Sequence, residues 1–76
     1  MKAFVAEVLK WFVDHPDQLS VTALEGQKTV ICEVRCHEDD VGKVIGKNGK
    51  VIQSLRALAL ALASKDGKRA VVEIVE

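Results

Sequence analysis

Apolar residues recur at helical spacing through residues 2 to 14, where Phe4, Val5, Val8, Leu9 and Phe12 fall on one stripe with Trp11 at its edge. His15-Pro16-Asp17 stops that helix, since proline cannot continue the hydrogen-bond ladder. The period then drops to two. Leu19 to Glu25 is rich in β-forming residues, and from Thr29 to His37 the apolar set Val30, Cys32, Val34 and Cys36 alternates with Ile31, Glu33, Arg35 and His37. Glu25-Gly26-Gln27-Lys28 supplies the tight turn of a hairpin. Glu38, Asp39 and Asp40 open a short helix that runs to about Ile45. Residues 50 to 64 read as the longest helix, with Val51, Leu55, Leu58 and Leu62 as its core stripe and Asp66-Gly67 as its end. Ala70 to Val75 is β-branched and suits a last, buried strand.

The order αββααβ predicts one α+β domain over residues 1–76, with a three-stranded sheet and three helices packed on one face. The other face is expected to be solvated, which suits Glu33, Arg35 and His37 and leaves Ile31 as the exception. Leu60 lies opposite the expected core stripe of the long helix and marks a candidate surface for pairing with a second copy.

Seventy-six residues give one modest core and little room for a buried catalytic cleft, so a binding module is the default. Eleven basic and eleven acidic residues cancel, but the balance is segregated along the chain. Residues 41 to 65 carry five bases (Lys43, Lys47, Lys50, Arg56, Lys65) and no acid, leaving six bases and all eleven acids elsewhere. The neutral total conceals a basic patch. Glu7, Lys10 and Asp14 interrupt the apolar amino terminus, and no span of about 20 apolar residues follows, so a cytoplasmic protein without a membrane partner is expected.

Within the acid-free span, Gly46-Lys47-Asn48-Gly49 sits between Ile45 and Ile52, with Lys47 and Lys50 where a helix begins. A helix N-terminus has unsatisfied N–H groups and partial positive charge, and its first turn ordinarily favours Asp or Glu. Lysines there make sense if the negative charge arrives from outside, and a nucleic-acid phosphate is the obvious supplier. The alternative is a helix-turn-helix corner with solvated lysines.

Other constellations point to no further chemistry. Cys32 and Cys36 have the same strand parity and lie about 13 Å apart, beyond disulfide reach, with no second ligand pair nearby, so buried reduced thiols are expected and no metal. The carboxylates at 38 to 40 occupy a first helical turn with no nucleophile beside them, so no catalytic residue is assigned. Gly42 to Asn48 reads GKVIGKN and resembles a phosphate-binding loop of nucleotide enzymes. Its second glycine comes one residue early, Asn48 stands where Ser or Thr would hold magnesium, and a helix precedes it where a strand is needed. No cofactor is expected.

The element order, with Val44-Ile45-Gly46-Lys47-Asn48-Gly49-Lys50-Val51-Ile52 at the central helix-helix corner, resembles a type II K-homology (KH) domain over essentially the whole chain. Asp40-Val41-Gly42-Lys43 before the corner and Gly67-Lys68-Arg69 after the long helix resemble the small stand-alone bacterial KH proteins, the KhpA-like group. The resemblance implies a cleft for about four nucleotides of single-stranded RNA, with the GxxG loop on the sugar-phosphate backbone. It implies that Gly46 and Gly49 admit the backbone, Lys47 and Asn48 supply charge and a hydrogen bond, Lys43 and Lys50 flank the loop, and Ile45 and Ile52 form an apolar floor, or core filling for one of them. The hairpin turn at Glu25-Gly26-Gln27 is aligned with the family's variable loop and is short, and no aromatic residue falls in the predicted cleft. A weak, generalist grip is therefore expected, as in an RNA chaperone, offset by pairing as a homodimer or with a larger KH-containing RNA-binding protein. A KH fold serving protein association alone, and single-stranded DNA as ligand, are the competing readings.

Overall fold

Strand pairing fixes the architecture of the computed structural model, which describes residues 1–75. Helix α1 (Lys2–Leu9) is followed by strands β1 (Ser20–Glu25) and β2 (Thr29–Arg35), helices α2 (Val41–Ile45) and α3 (Lys50–Ser64), and strand β3 (Arg69–Ile74). The sheet order is β1-β2-β3, with β2 antiparallel to β1 and parallel to β3. A parallel pair needs a long crossover, and α2, the glycine turn and α3 form it. This is the expected α+β fold of type II KH topology.

The core lies between the sheet and the helices. Val5, Leu9 and Val13 enter it from the first segment, Val21 from β1, Val30, Cys32 and Val34 from β2, Val44 from α2 and Val72 from β3. The alternation in β2 is as expected, and burial pushes the Cys32 thiol pKa up, so its thiolate is disfavoured. Cys36 lies just beyond β2, partly buried against the core.

Two stripes differ from expectation. Helix α1 ends at Leu9, with only looser turns reaching Phe12. Phe12 and Trp11 are exposed, and Val13 takes the buried place instead. In α3 the buried positions are Ile52, Leu55, Ala59 and Ala63, while Leu58 and Leu62 are exposed. The stripe is thus turned by roughly a quarter of a turn from Val51-Leu55-Leu58-Leu62. Small side chains let α3 lie close on the sheet over β3, and the larger leucines are displaced toward α1.

The outer face of the sheet carries more apolar surface than Ile31 alone. Leu24 pairs with Ile31, which pairs with Val71, making an apolar band across all three strands. His37 lies beyond the end of β2 and stacks on His15, with ring centroids 4.1 Å apart. The hairpin turn sits at the end of the sheet where α3 returns into β3: Arg69 donates to the Lys28 carbonyl, and Lys68 pairs with Glu25 at 3.0 Å. Residues 65–68 join α3 to β3 at that end, opposite the glycine turn at the start of α3. No helix among the described residues is long and apolar enough to cross a membrane.

Candidate nucleic-acid interface

The turn from α2 to α3 is built from backbone conformations that few residues adopt. Gly46 has φ 78°, Asn48 φ 56° and Gly49 φ 73°, three left-handed residues in four. Asn is among the few side-chain-bearing residues that tolerate this region. Gly46 donates to the Gly42 carbonyl and closes α2, and Gly49 donates to Gly46 and opens α3. At Gly46 the requirement is also steric, since a Cβ would lie 2.3 Å from Val51 Cγ2 and 2.8 Å from its backbone nitrogen. At Gly49 a Cβ would find room, so only the dihedral demands glycine there.

This turn presents the N-terminus of α3 to solvent with no acid in its first turn. Lys47, Asn48 and Lys50 are exposed around it, and Gly46 and Gly49 are half-buried between them. The two isoleucines part company. Ile45 is 38% exposed at the end of α2, whereas Ile52 is 6% exposed and fills the core. Only Ile45 offers apolar surface to a ligand.

Lys43 is exposed on α2 but engaged: its ammonium is ion-paired with Asp14 in the linker after α1. The Asp14 hydrogen bond, opposed by partial desolvation and reinforced by Asp14, Asp40 and Asp39 charge, raises the Lys43 pKa above the ordinary lysine value. Beneath this pair lies Asp40, a fully buried carboxylate whose place in a first helical turn was legible in the sequence but whose burial was not. Asp40 accepts from the backbone N–H of Asp14 at 3.0 Å and of His15 at 2.9 Å. Desolvation by burial pushes its pKa up, but the two backbone hydrogen bonds, with His15 and Lys43 nearby, outweigh it and hold the carboxyl below the usual aspartate value. Asp40 therefore staples the linker to the start of α2, the helix that leads into the turn.

His15, His37 and Asp39 bring ligand-type atoms within 4.8 Å of one another. The two rings are stacked with an interplanar angle of 26°, so their in-plane lone pairs run side by side and do not converge on one point. His37 Nδ1 already accepts from the Asp39 backbone.

A groove of about 430 Å³ runs along the other side of α3, between Arg56, Ala57 and Leu60 and the edge of β3. Leu60 belongs to this groove. The larger exposed apolar strip lies on the opposite flank of α3, where Leu58 and Leu62 border Phe4 and Phe12 of the first segment.

The profile of the KhpA/KhpB KH domain matches residues 2–74. RNA-binding protein KhpA of Aquifex aeolicus is 43% identical over 76 residues, covering all of this chain and 96% of the relative. The protein of that name from Caldanaerobacter subterraneus is 40% identical over 99% of this chain and 100% of the relative, and that of Chlamydia muridarum 37% over 100% and 97%. No solved structure matches. Element order, sheet topology and full-length similarity agree, and the chain belongs to the non-enzymatic KhpA/KhpB family of KH-domain proteins.

Proposed function

We propose that this chain binds single-stranded RNA through the Gly46–Gly49 turn, as a generalist RNA-binding or RNA-chaperone protein that works in pairs. The observation that supports this most is the acid-free start of α3, with Lys47, Asn48 and Lys50 exposed around a left-handed glycine turn. Its relatives are named RNA-binding proteins. Phosphate oxygens at this point meet N–H groups, the helix dipole and lysine charge together. With three or four phosphates neutralised, log affinity falls against log salt with a slope of about −2 to −3. Fluorescence anisotropy with a labelled single-stranded RNA between 50 and 300 mM salt measures it, and the same titration with DNA tests the 2′-hydroxyl. A flat response with either polymer sinks the phosphate clamp in favour of a protein-association module.

The pairing surface we propose is the strip of Phe4, Phe12, Leu58 and Leu62, in place of Leu60, because it is the broader apolar surface and leaves the groove open. It would serve a second copy or a larger KH-containing partner, and pairing offsets weak single-site binding by avidity. Light scattering is expected to show a dimer that Leu58→Glu converts to a folded monomer. A monomer in the parent chain at high concentration argues against the strip as a self-pairing surface.

A further inference from the structure

The outer face of the sheet sets an apolar band between rows of opposite charge. Burial of Val21, Val30, Cys32, Val34 and Val72 against the helices turns the alternate residues of each strand outward. In register across the three strands these make the row Leu24, Ile31, Val71 and, one step toward the α2 end, the row Thr22, Glu33, Glu73. One step the other way, Thr29 stands beside Arg69. Leu24 is 60% and Val71 39% exposed, apolar surface in the middle of a face that a one-sided sheet ordinarily gives to polar side chains. Glu33 and Glu73 lie directly across from each other, where like charges repel, and neither they nor Arg69 has an ion pair among the described residues.

We propose that this face docks on the same face of a second copy, in a contact separate from the strip beside α3. When one sheet is laid on another about a twofold axis that crosses the strands at Ile31, each strand lies over its own counterpart running the opposite way. Leu24, Ile31 and Val71 then meet themselves, and the two flanking rows change places. Arg69 comes over Glu73 of the other copy, and the Thr29 hydroxyl over Glu33 of the other copy. The repelling acids of each copy thus gain a cation and a donor, twice by symmetry. The usual rotation of about 30° between packed sheets displaces the outer strands by less than the reach of an arginine. A cationic peptide would match the two acids but neither Arg69 nor the apolar row, whereas a second copy matches all three. Three strands about 4.8 Å apart and six residues at about 3.3 Å each make a face of roughly 14 by 20 Å, so the contact is a weak one. Beside a pairing strip on a different face, it joins pairs into larger assemblies.

The test uses the whole chain carrying Leu58→Glu, which removes the strip, with circular dichroism to check that each variant is folded. Arg69→Glu sets acid over acid and Glu73→Arg sets arginine over arginine, so neither variant is expected to associate with itself. Mixed, the two restore both ion pairs. Isotope-labelled R69E titrated with unlabelled E73R is expected to show amide shifts in nuclear magnetic resonance spectra at Leu24, Ile31 and Val71, with an affinity at least about tenfold above that of either variant for itself. The chain with its native charges should show the same shifts as its concentration rises. Equal behaviour of the mixture and the separate variants overturns the proposal, as do a concentration series that leaves the sheet-face amides of the native-charge chain unmoved and shifts confined to α1 and α3. Loss of the strip as a pairing surface leaves these readouts unchanged, so the two surfaces stand or fall separately.

Discussion

A double variant with Lys47→Asp and Asn48→Asp is expected to lose single-stranded RNA binding, by about a hundredfold or more, with circular dichroism and melting nearly unchanged. Both side chains are exposed, and neither takes part in a hydrogen bond or ion pair among the described residues. Asp at position 48 also tolerates the left-handed backbone found there. The loop becomes more negative by two charges at Lys47 and one at Asn48. At contact distance each unit is worth about 1 kcal/mol even in bulk water, and all of it opposes an anion. Anisotropy titration beside a thermal melt separates loss of the site from loss of the fold. Parent-like affinity in the double variant would place the RNA elsewhere on the molecule.

The largest effect on stability is expected at Asp40. Replacing it by Ala leaves the partly buried N–H groups of Asp14 and His15 without their acceptor and empties a fully buried site, and the melting temperature should fall by about 10 °C. Asp40→Asn keeps one acceptor oxygen and should lie between Ala and parent. The pH dependence has a definite sign. A carboxyl whose pKa is lower folded than unfolded stabilises above the unfolded value, near 3.8, and loses that contribution as pH falls through the folded value. Melts at pH 7, 4, 3 and 2 should show the parent losing stability on this acid limb more steeply than the Asn variant. Parallel curves would mean that Asp40 is not the titrating staple.

The elements were legible because turn chemistry brackets them: Pro16, Gly26, Gly46, Gly49 and Gly67 stand at or beside the breaks. The face of α3 was not. Hydropathy ranks Leu58 and Leu62 above Ala59 and Ala63, yet a helix lying close on a sheet favours the smaller side chains at the contact. Asp40 was hidden for a similar reason, since its helical-turn position suits a solvent-facing acid and only the tertiary approach of the Asp14–His15 backbone gives it buried partners. The exposed residues of the candidate site could be named from sequence because a GxxG turn and local charge are both short-range features. Ile45 and Ile52 look alike in sequence, and the packing of α3 alone decides that one is core and the other surface.

The ion pair between Lys43 and Asp14 gives the interface a built-in rival. A phosphate arriving at Lys43 does not meet a vacant cation; it must exchange with a carboxylate tethered at high effective concentration by the same chain. Contact there is a substitution, with one bond given up for each one made, so Lys43 adds less net attraction than its charge suggests. The free lysines at the turn capture the strand first, and the α2 end of the surface responds only to a ligand already held.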